Sequence, residues 1–158
     1  MIKILFICHG NICRSPMGEI LFRALCKKAG KENQYLISSA ATSQEELGNP
    51  IYPPVRKVLE RHGLSWQGKT ARQMTKADYD AYDLLIGMDQ ANIRNMTRIA
   101  GGDPKGKIHR LMTFAGQEKD VDDPWYTREF DRAYEEILTG CQGLWQTLEG
   151  CPAPEIDK

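Results

Sequence analysis

KILFICHGNICRSPMGEILFRALCKKAG, residues 3–30, passes from an apolar run to a helical pattern across one short turn. Residues 3–7 are rich in β-branched and apolar side chains and too few for a helix, so they read as a buried strand. A helix opens near Ser15: Pro16 fits a first turn, and Glu19 favours the positive end of the helix dipole. Ile20, Leu21, Ala24, Leu25 and Lys28 follow at helical spacing, and Gly30 stops the run. Working outward, residues 35–39, 83–88 and 107–112 read as three more strands, and residues 55–62, 76–82 and 89–96 as helices, with Asp89 at a capping position. Residues 42–54 and 113–126 read as loops, the first punctuated by Gly48, Pro50, Pro53 and Pro54. Residues 127–148 form a long amphipathic helix, with Phe130, Tyr134, Ile137, Leu138 and Leu144 on one face and room for a break at Gly140 and Gly143. Alternating strands and helices predict an α/β fold with a mostly parallel sheet. Such sheets bind ligands beyond the carboxyl ends of their strands, which points at residues 8–15.

The 158 residues, 41% apolar and 27% charged, suit one globular domain over residues 1–149, followed by a frayed tail over 150–158. Lys and Arg total 21 and so do Asp and Glu, which argues against nucleic acid or an anionic membrane as partner. No apolar stretch approaches the roughly 20 residues of a bilayer span, and no signal sequence is evident, so the chain reads as cytoplasmic. Five cysteines without a CxxC argue against a disulfide framework. Of the cysteines and histidines only Cys8, His9 and Cys13 cluster, so neither metal nor cofactor is expected.

The loop Cys8-His9-Gly10-Asn11-Ile12-Cys13-Arg14-Ser15 carries the chemistry. A loop that feeds a helix N-terminus turns backbone N–H groups inward, and the helix dipole adds positive potential there. Gly10 and Asn11 tolerate the positive φ that an anion-binding nest needs. Arg14 offers a planar fork for two oxygens of a phosphoryl group. The same field stabilises a thiolate on Cys8, which is then a nucleophile able to attack phosphorus in line and form a cysteinyl-phosphate. Ser15 can donate a hydrogen bond to that sulfur. The leaving oxygen needs a general acid, and Asp123 in Asp122-Asp123-Pro124-Trp125-Tyr126 is the candidate, with Trp125 and Tyr126 offering aromatic surface to a phenyl ring.

These residues resemble the low-molecular-weight protein tyrosine phosphatases over roughly residues 2–148. Residues 8–16 (CHGNICRSP) match that family's Cys-x-Gly-Asn-Ile-Cys-Arg-Ser-Pro, and Asp123-Pro124-Trp125-Tyr126 is similar to its acid loop. Residues 38–50 (SSAATSQEELGNP), Arg61-His62-Gly63 and Ala71-Arg72-Gln73 also look like family segments. The resemblance implies a four-stranded parallel sheet with helices on both faces. It implies Cys8 as nucleophile, Arg14 as phosphate clamp, and Asp123 as general acid and then base. Further implied roles are Ser15 for the thiolate, Asn11 and Ser39 for a network shaping the loop, and Cys13 for a reversible disulfide with Cys8. His9, Gly10, Ile12 and Cys13 complete the cradle; Trp125 and Tyr126 wall a phosphotyrosine slot whose opposite rim is residues 44–46. The implied substrates are phosphotyrosine proteins or small aryl phosphates, with inorganic phosphate as product and a monomer as the working form. His9 stands where an apolar residue is more common and Glu45 where relatives often carry an aromatic; both bear on substrate preference. Trp125 leaves Tyr126 as the one tyrosine of the acid loop open to phosphorylation.

Three other readings are weaker. An arsenate reductase on this loop needs two more cysteines after the third strand, and residues 87–96 (GMDQANIRNM) contain none. A protein-arginine phosphatase typically has threonine at the position of Ile12 and smaller side chains in the acid loop than Trp125. A silent phosphate-binding module would not need nucleophile, clamp and acid together.

Overall fold

β1 (Ile2–Cys8), β2 (Tyr35–Ala41), β3 (Leu84–Gly87) and β4 (Ile108–Arg110) form one sheet in the order β2-β1-β3-β4, every pair parallel. This is a computed structural model that describes residues 1–156. Successive side chains of β1 point to opposite faces, and both faces are buried, as parallel strands require. Ile4, Phe6 and Cys8 join one core with helices α1 (Arg14–Lys28), α2 (Pro53–Arg61) and α6 (Phe130–Glu149). Leu5 and Ile7 join the other with α3 (Lys76–Ala81) and α4 (Gln90–Ala100). Ile4, Leu5, Phe6 and Ile7 are all 0% exposed. Full burial of such side chains stabilises by about 1.5–3 kcal/mol each, so the strand that ends at Cys8 is anchored from both sides. Phe22, Tyr35 and Trp145 pack ring on ring under α1, with centroids 5.5–6.2 Å apart.

α1 approaches β1 closely because Gly18 has no side chain; a Cβ there would sit 2.8 Å from Phe6 Cδ1. This brings the start of α1 over the end of β1. The strand order reverses direction at β1, so the crevice between β1 and β3 is the switch point where such sheets place ligands.

Three local expectations change. α6 starts at Phe130 and runs unbroken to Glu149. Gly140 and Gly143 admit neighbours instead of breaking the helix: a Cβ on them would lie 2.5 Å from Leu111 Cγ and 2.3 Å from the Phe114 carbonyl oxygen. The expected loop over 113–126 holds the end of a 3-10 segment, Leu111–Ala115, and the start of a short helix α5 (Pro124–Thr127), closed by Arg128 at φ 61°. Glu19 is not in the first turn of α1, which begins at Arg14. Of the tail, residues 150–156 have no regular structure, and Ala153 and Ile156 pack against the core; residues 157–158 lie outside the described residues. Among the described residues, no helix is long and apolar enough to cross a membrane.

Candidate active site

Cys8 ends β1 with its sulfur as the hub of the following loop. Its Sγ accepts from the backbone N–H groups of Asn11 (3.3 Å) and Ser15 (3.4 Å) and lies 3.1 Å from Ser15 Oγ. Asn11 takes the tight turn at φ 60°, where asparagine is tolerated. Gly10 does not adopt positive φ; its lack of a side chain makes room for Glu46, whose Cγ would sit 3.3 Å from a Cβ there.

The hydrogen bonds beneath the loop have a direction. Asn11 Oδ1 accepts from the Arg72 backbone N–H (3.2 Å), which fixes the amide. Its Nδ2 then donates to Ser15 Oγ (2.8 Å) and Ser39 Oγ (3.0 Å), using both protons. Ser39 donates its hydroxyl proton to Glu19 Oε1 (2.5 Å), a carboxylate that can only accept. Ser15 Oγ is therefore an acceptor for Asn11, which leaves its own proton for the Cys8 sulfur at 3.1 Å or the Ala40 carbonyl at 3.5 Å. Asn11, Ser15 and Ser39 are at most 1% exposed, so water does not compete for these groups. Glu19 is itself held by Arg23 (2.6 Å) and lies 3.7 Å from Lys69, which donates to the Ser39 carbonyl (3.0 Å). Burial pulls the Lys69 ammonium below its usual pKa, with Glu19 opposing that pull.

Arg14, 2% exposed, reaches under the same opening. Nη1 donates to Asp89 Oδ2 (2.7 Å) and the Val121 carbonyl (2.9 Å), and Nη2 lies 3.4 Å from Asp123 Oδ2. Burial disfavours the guanidinium, but Cys8, Asp123 and Asp89 together outweigh it and raise its pKa further. Asp89 is positioned by the turn from β3 into α4, where its other oxygen caps the helix at the Asn92 N–H (2.7 Å). Asp123 caps α5 in the same way: Oδ1 accepts from the Trp125 N–H (3.0 Å), leaving Oδ2 toward Arg14. Cys13 lines the opening too; burial foremost, then the charges of Cys8 and Asp123, push its thiol far up, so it stays protonated.

Cys8, His9, Gly10, Ile12, Cys13, Arg14, Asp123, Trp125 and Tyr126 line one pocket of about 340 Å³, with Glu45 and Glu46 beside His9 and Gly10. Asn11, Ser15 and Ser39 are not in its lining; they lie beneath it as supports. The Trp125 ring packs 4.8 Å from that of Tyr52, and Tyr126 is 81% exposed. Across the mouth, His9 Nε2 meets Glu45 Oε2 at 2.8 Å. Among the described residues, no three His, Cys, Asp or Glu side chains come together to hold a metal ion.

A cysteine sulfur held by backbone N–H groups, a buried arginine and a carboxyl group facing one opening are what transfer of a phosphoryl group to sulfur requires. The sequence model of the low molecular weight phosphotyrosine protein phosphatases matches residues 3–151. The chain belongs to that family. It is similar to the low molecular weight protein-tyrosine-phosphatase YfkJ of Bacillus subtilis, 38% identical over 151 residues, which are 94% of this chain and 97% of that one. It is also 38% identical to the low molecular weight phosphotyrosine protein phosphatase of Gallus gallus over 147 residues, covering 90% and 92%. The crystal structure of Bacillus subtilis YfkJ superposes with a TM-score of 0.92, covering 95% of this chain and 96% of that one.

Within this low molecular weight phosphatase, sequence reasoning missed Asp89, Glu19, Lys69 and Arg72. Asp89 carried a signal: it follows the strand that flanks the switch point. Glu19 carried a fainter one, as a carboxylate amid Ile20, Leu21 and Phe22 on a helix that buries nearly its whole first half. The Arg72 contact is made by a backbone N–H, which no side-chain identity reveals.

Proposed function

We propose that the protein hydrolyses phosphotyrosine and small aryl phosphate monoesters in two steps through a cysteinyl-phosphate. Cys8 Sγ attacks phosphorus, the S–P bond forms, and the bond to the aryl oxygen breaks as Asp123 delivers its proton to that oxygen. Arg14 and the loop amides hold the equatorial oxygens, where negative charge is concentrated. Asp123 then takes a proton from water as the water attacks phosphorus; the S–P bond breaks, inorganic phosphate leaves, and the thiolate returns to the Ser15 hydroxyl. The aromatic leaving group lies against Trp125 and Tyr126. The convergence of the Asn11 and Ser15 backbone N–H groups on Cys8 Sγ, with the Ser15 hydroxyl 3.1 Å away, carries this reading, because donors gathered on one sulfur suit a nucleophilic thiolate.

Oxidation follows from the same sulfur. Peroxide takes the Cys8 thiolate to a sulfenic acid, and the Cys13 thiol condenses with it, releasing water and forming a disulfide that an added thiol reduces. A monomer in the cytoplasm belongs to the same proposal, and the balanced charge argues against nucleic acid or an anionic membrane as partner.

Steady-state turnover of phosphotyrosine, phosphoserine and phosphoarginine peptides, with Cys8→Ser as control, tests the assignment. The expected result is a phosphotyrosine kcat/KM well above the other two and no turnover by Cys8→Ser. Equal rates on phosphoserine, or turnover by Cys8→Ser, overturn it. Mass spectrometry after peroxide checks the redox step: a Cys8–Cys13 bond is expected, and Cys8 found only as sulfinic acid refutes it.

A further inference from the structure

The wall behind Trp125 continues beyond the catalytic pocket. Trp125 packs on Tyr52, Tyr52 on Phe130 at 5.9 Å, and the Arg128 guanidinium lies over both the Tyr52 and Phe130 rings at 5.5 and 5.0 Å. Phe130 and Arg128 then border a second concavity of about 490 Å³ between α2 and the start of α6. Its exposed apolar lining is Pro54 and Phe130, Val58 being only 2% exposed. Of its four cations, Arg61 pairs with Asp131, and Arg132 lies 3.7 Å from Glu129. Lys57 and Arg128 have no carboxylate partner among the described residues. Arg128 is nevertheless fixed: its backbone is left-handed at φ 61°, which is uncommon outside glycine, and Nη2 donates to the Tyr52 hydroxyl at 3.2 Å. Beside His9 and Gly10 the pocket lining has the opposite sign, with Glu45 and Glu46. The approach to the slot is thus electrically lopsided.

We propose that this concavity docks an acidic segment flanking the phosphotyrosine of a protein substrate. Carboxylates of that segment pair with Lys57 and Arg128, an apolar side chain rests on Pro54 and Phe130, and Glu45 and Glu46 beside His9 and Gly10 repel the same segment. The groove rests on the phosphotyrosine reading above and names the substrate class within it.

The test uses three phosphotyrosine peptides of equal length, with glutamates two to five residues before the phosphotyrosine, with them after it, or with glutamines throughout. Para-nitrophenyl phosphate serves as a substrate too small to reach the groove. The wild type is expected to favour one of the acidic peptides over the neutral one by about fivefold to tenfold in kcat/KM, the scale of one or two exposed ion pairs. Lys57→Glu removes that preference through KM, and Lys57→Gln removes part of it; Lys57 is exposed, so neither disturbs the core. Turnover of para-nitrophenyl phosphate stays unchanged in both, and high salt flattens the preference in the wild type. Equal kcat/KM on all three peptides overturns the groove alone, as does a preference that survives Lys57→Glu. Lysine-dependent binding to phosphatidylserine vesicles without peptide discrimination also overturns it, in favour of a membrane. No turnover of any peptide, with para-nitrophenyl phosphate still cleaved, overturns the groove and the phosphotyrosine reading together.

Discussion

The underside of the catalytic loop and its mouth obey different physics. Beneath Cys8, Asn11, Ser15 and Ser39 are closed to water, and the protons of the Asn11 amide and the Ser39 hydroxyl each have one destination. At the mouth, His9 and Glu45 are 50% and 67% exposed, and Trp125 and Tyr126 are 44% and 81% exposed. A buried polar group left unpaired costs about 1–3 kcal/mol, so the underside has one arrangement. An exposed ion pair is worth about 0–1 kcal/mol, so the mouth can change without disturbing the chemistry below. The fixed half sets the reaction, and the adjustable half sets what enters.

Removing the sulfur is the most drastic way to test this division. Cys8→Ser is expected to abolish turnover while the protein still binds inorganic phosphate, because Arg14 and the loop amides remain; loss of phosphate binding, read by calorimetry, would show that the loop needs the sulfur to hold its shape. Next in size is Asp123→Ala, expected to slow turnover by about 10²–10⁴. The loss grows as the leaving group becomes a poorer one. A loss that is uniform across aryl phosphates would assign Asp123 to holding Arg14 and not to proton transfer.

The catalytic loop was legible because it is local: a strand, eight residues and a helix start, with cysteine, arginine and serine in sequence order. The mostly parallel sheet was legible because β1 and β3 are short apolar runs and the strands alternate with helices, although β4 is Ile-His-Arg. What holds the loop was not, because it comes from afar. Asp89 is 75 positions from Arg14 and Val121 is 107. Glu19 was seen as a helix-end charge because its neighbours in sequence say nothing of Ser39 across the sheet edge. Gly140 and Gly143 show a different limit. A glycine that breaks a helix and one that lets a neighbouring group approach look alike in sequence, and here the second applies.

Ser39→Ala sharpens the comparison from the buried side. It removes the acceptor for one Asn11 proton and the donor to Glu19 while leaving the backbone of β2 alone. Unfolding in urea is expected to show a loss of about 1–3 kcal/mol. Turnover falls by about tenfold, equivalent to about 1.4 kcal/mol, because the Asn11 amide no longer orients Ser15. Unchanged turnover with lowered stability would mean that Ser15 finds the sulfur without the network.

Glu45→Gln tests the exposed side and gives the smallest effect. Its pair with His9 is solvent-screened, so urea unfolding shifts by less than about 1 kcal/mol. The substrate arrives as an anion, and a carboxylate on the rim of the pocket opposes it. Neutralising that carboxylate lowers the KM for para-nitrophenyl phosphate at low ionic strength, by about two- to threefold for a charge that acts through water. At an ionic strength near 1 M the screening length shrinks to about 3 Å, and the difference between variant and wild type disappears. kcat stays constant throughout, because Glu45 meets none of Cys8, Arg14 or Asp123. A change in kcat that persists at high salt would place Glu45 with the buried machinery, and the boundary between the two halves of the site would have to be redrawn through the rim.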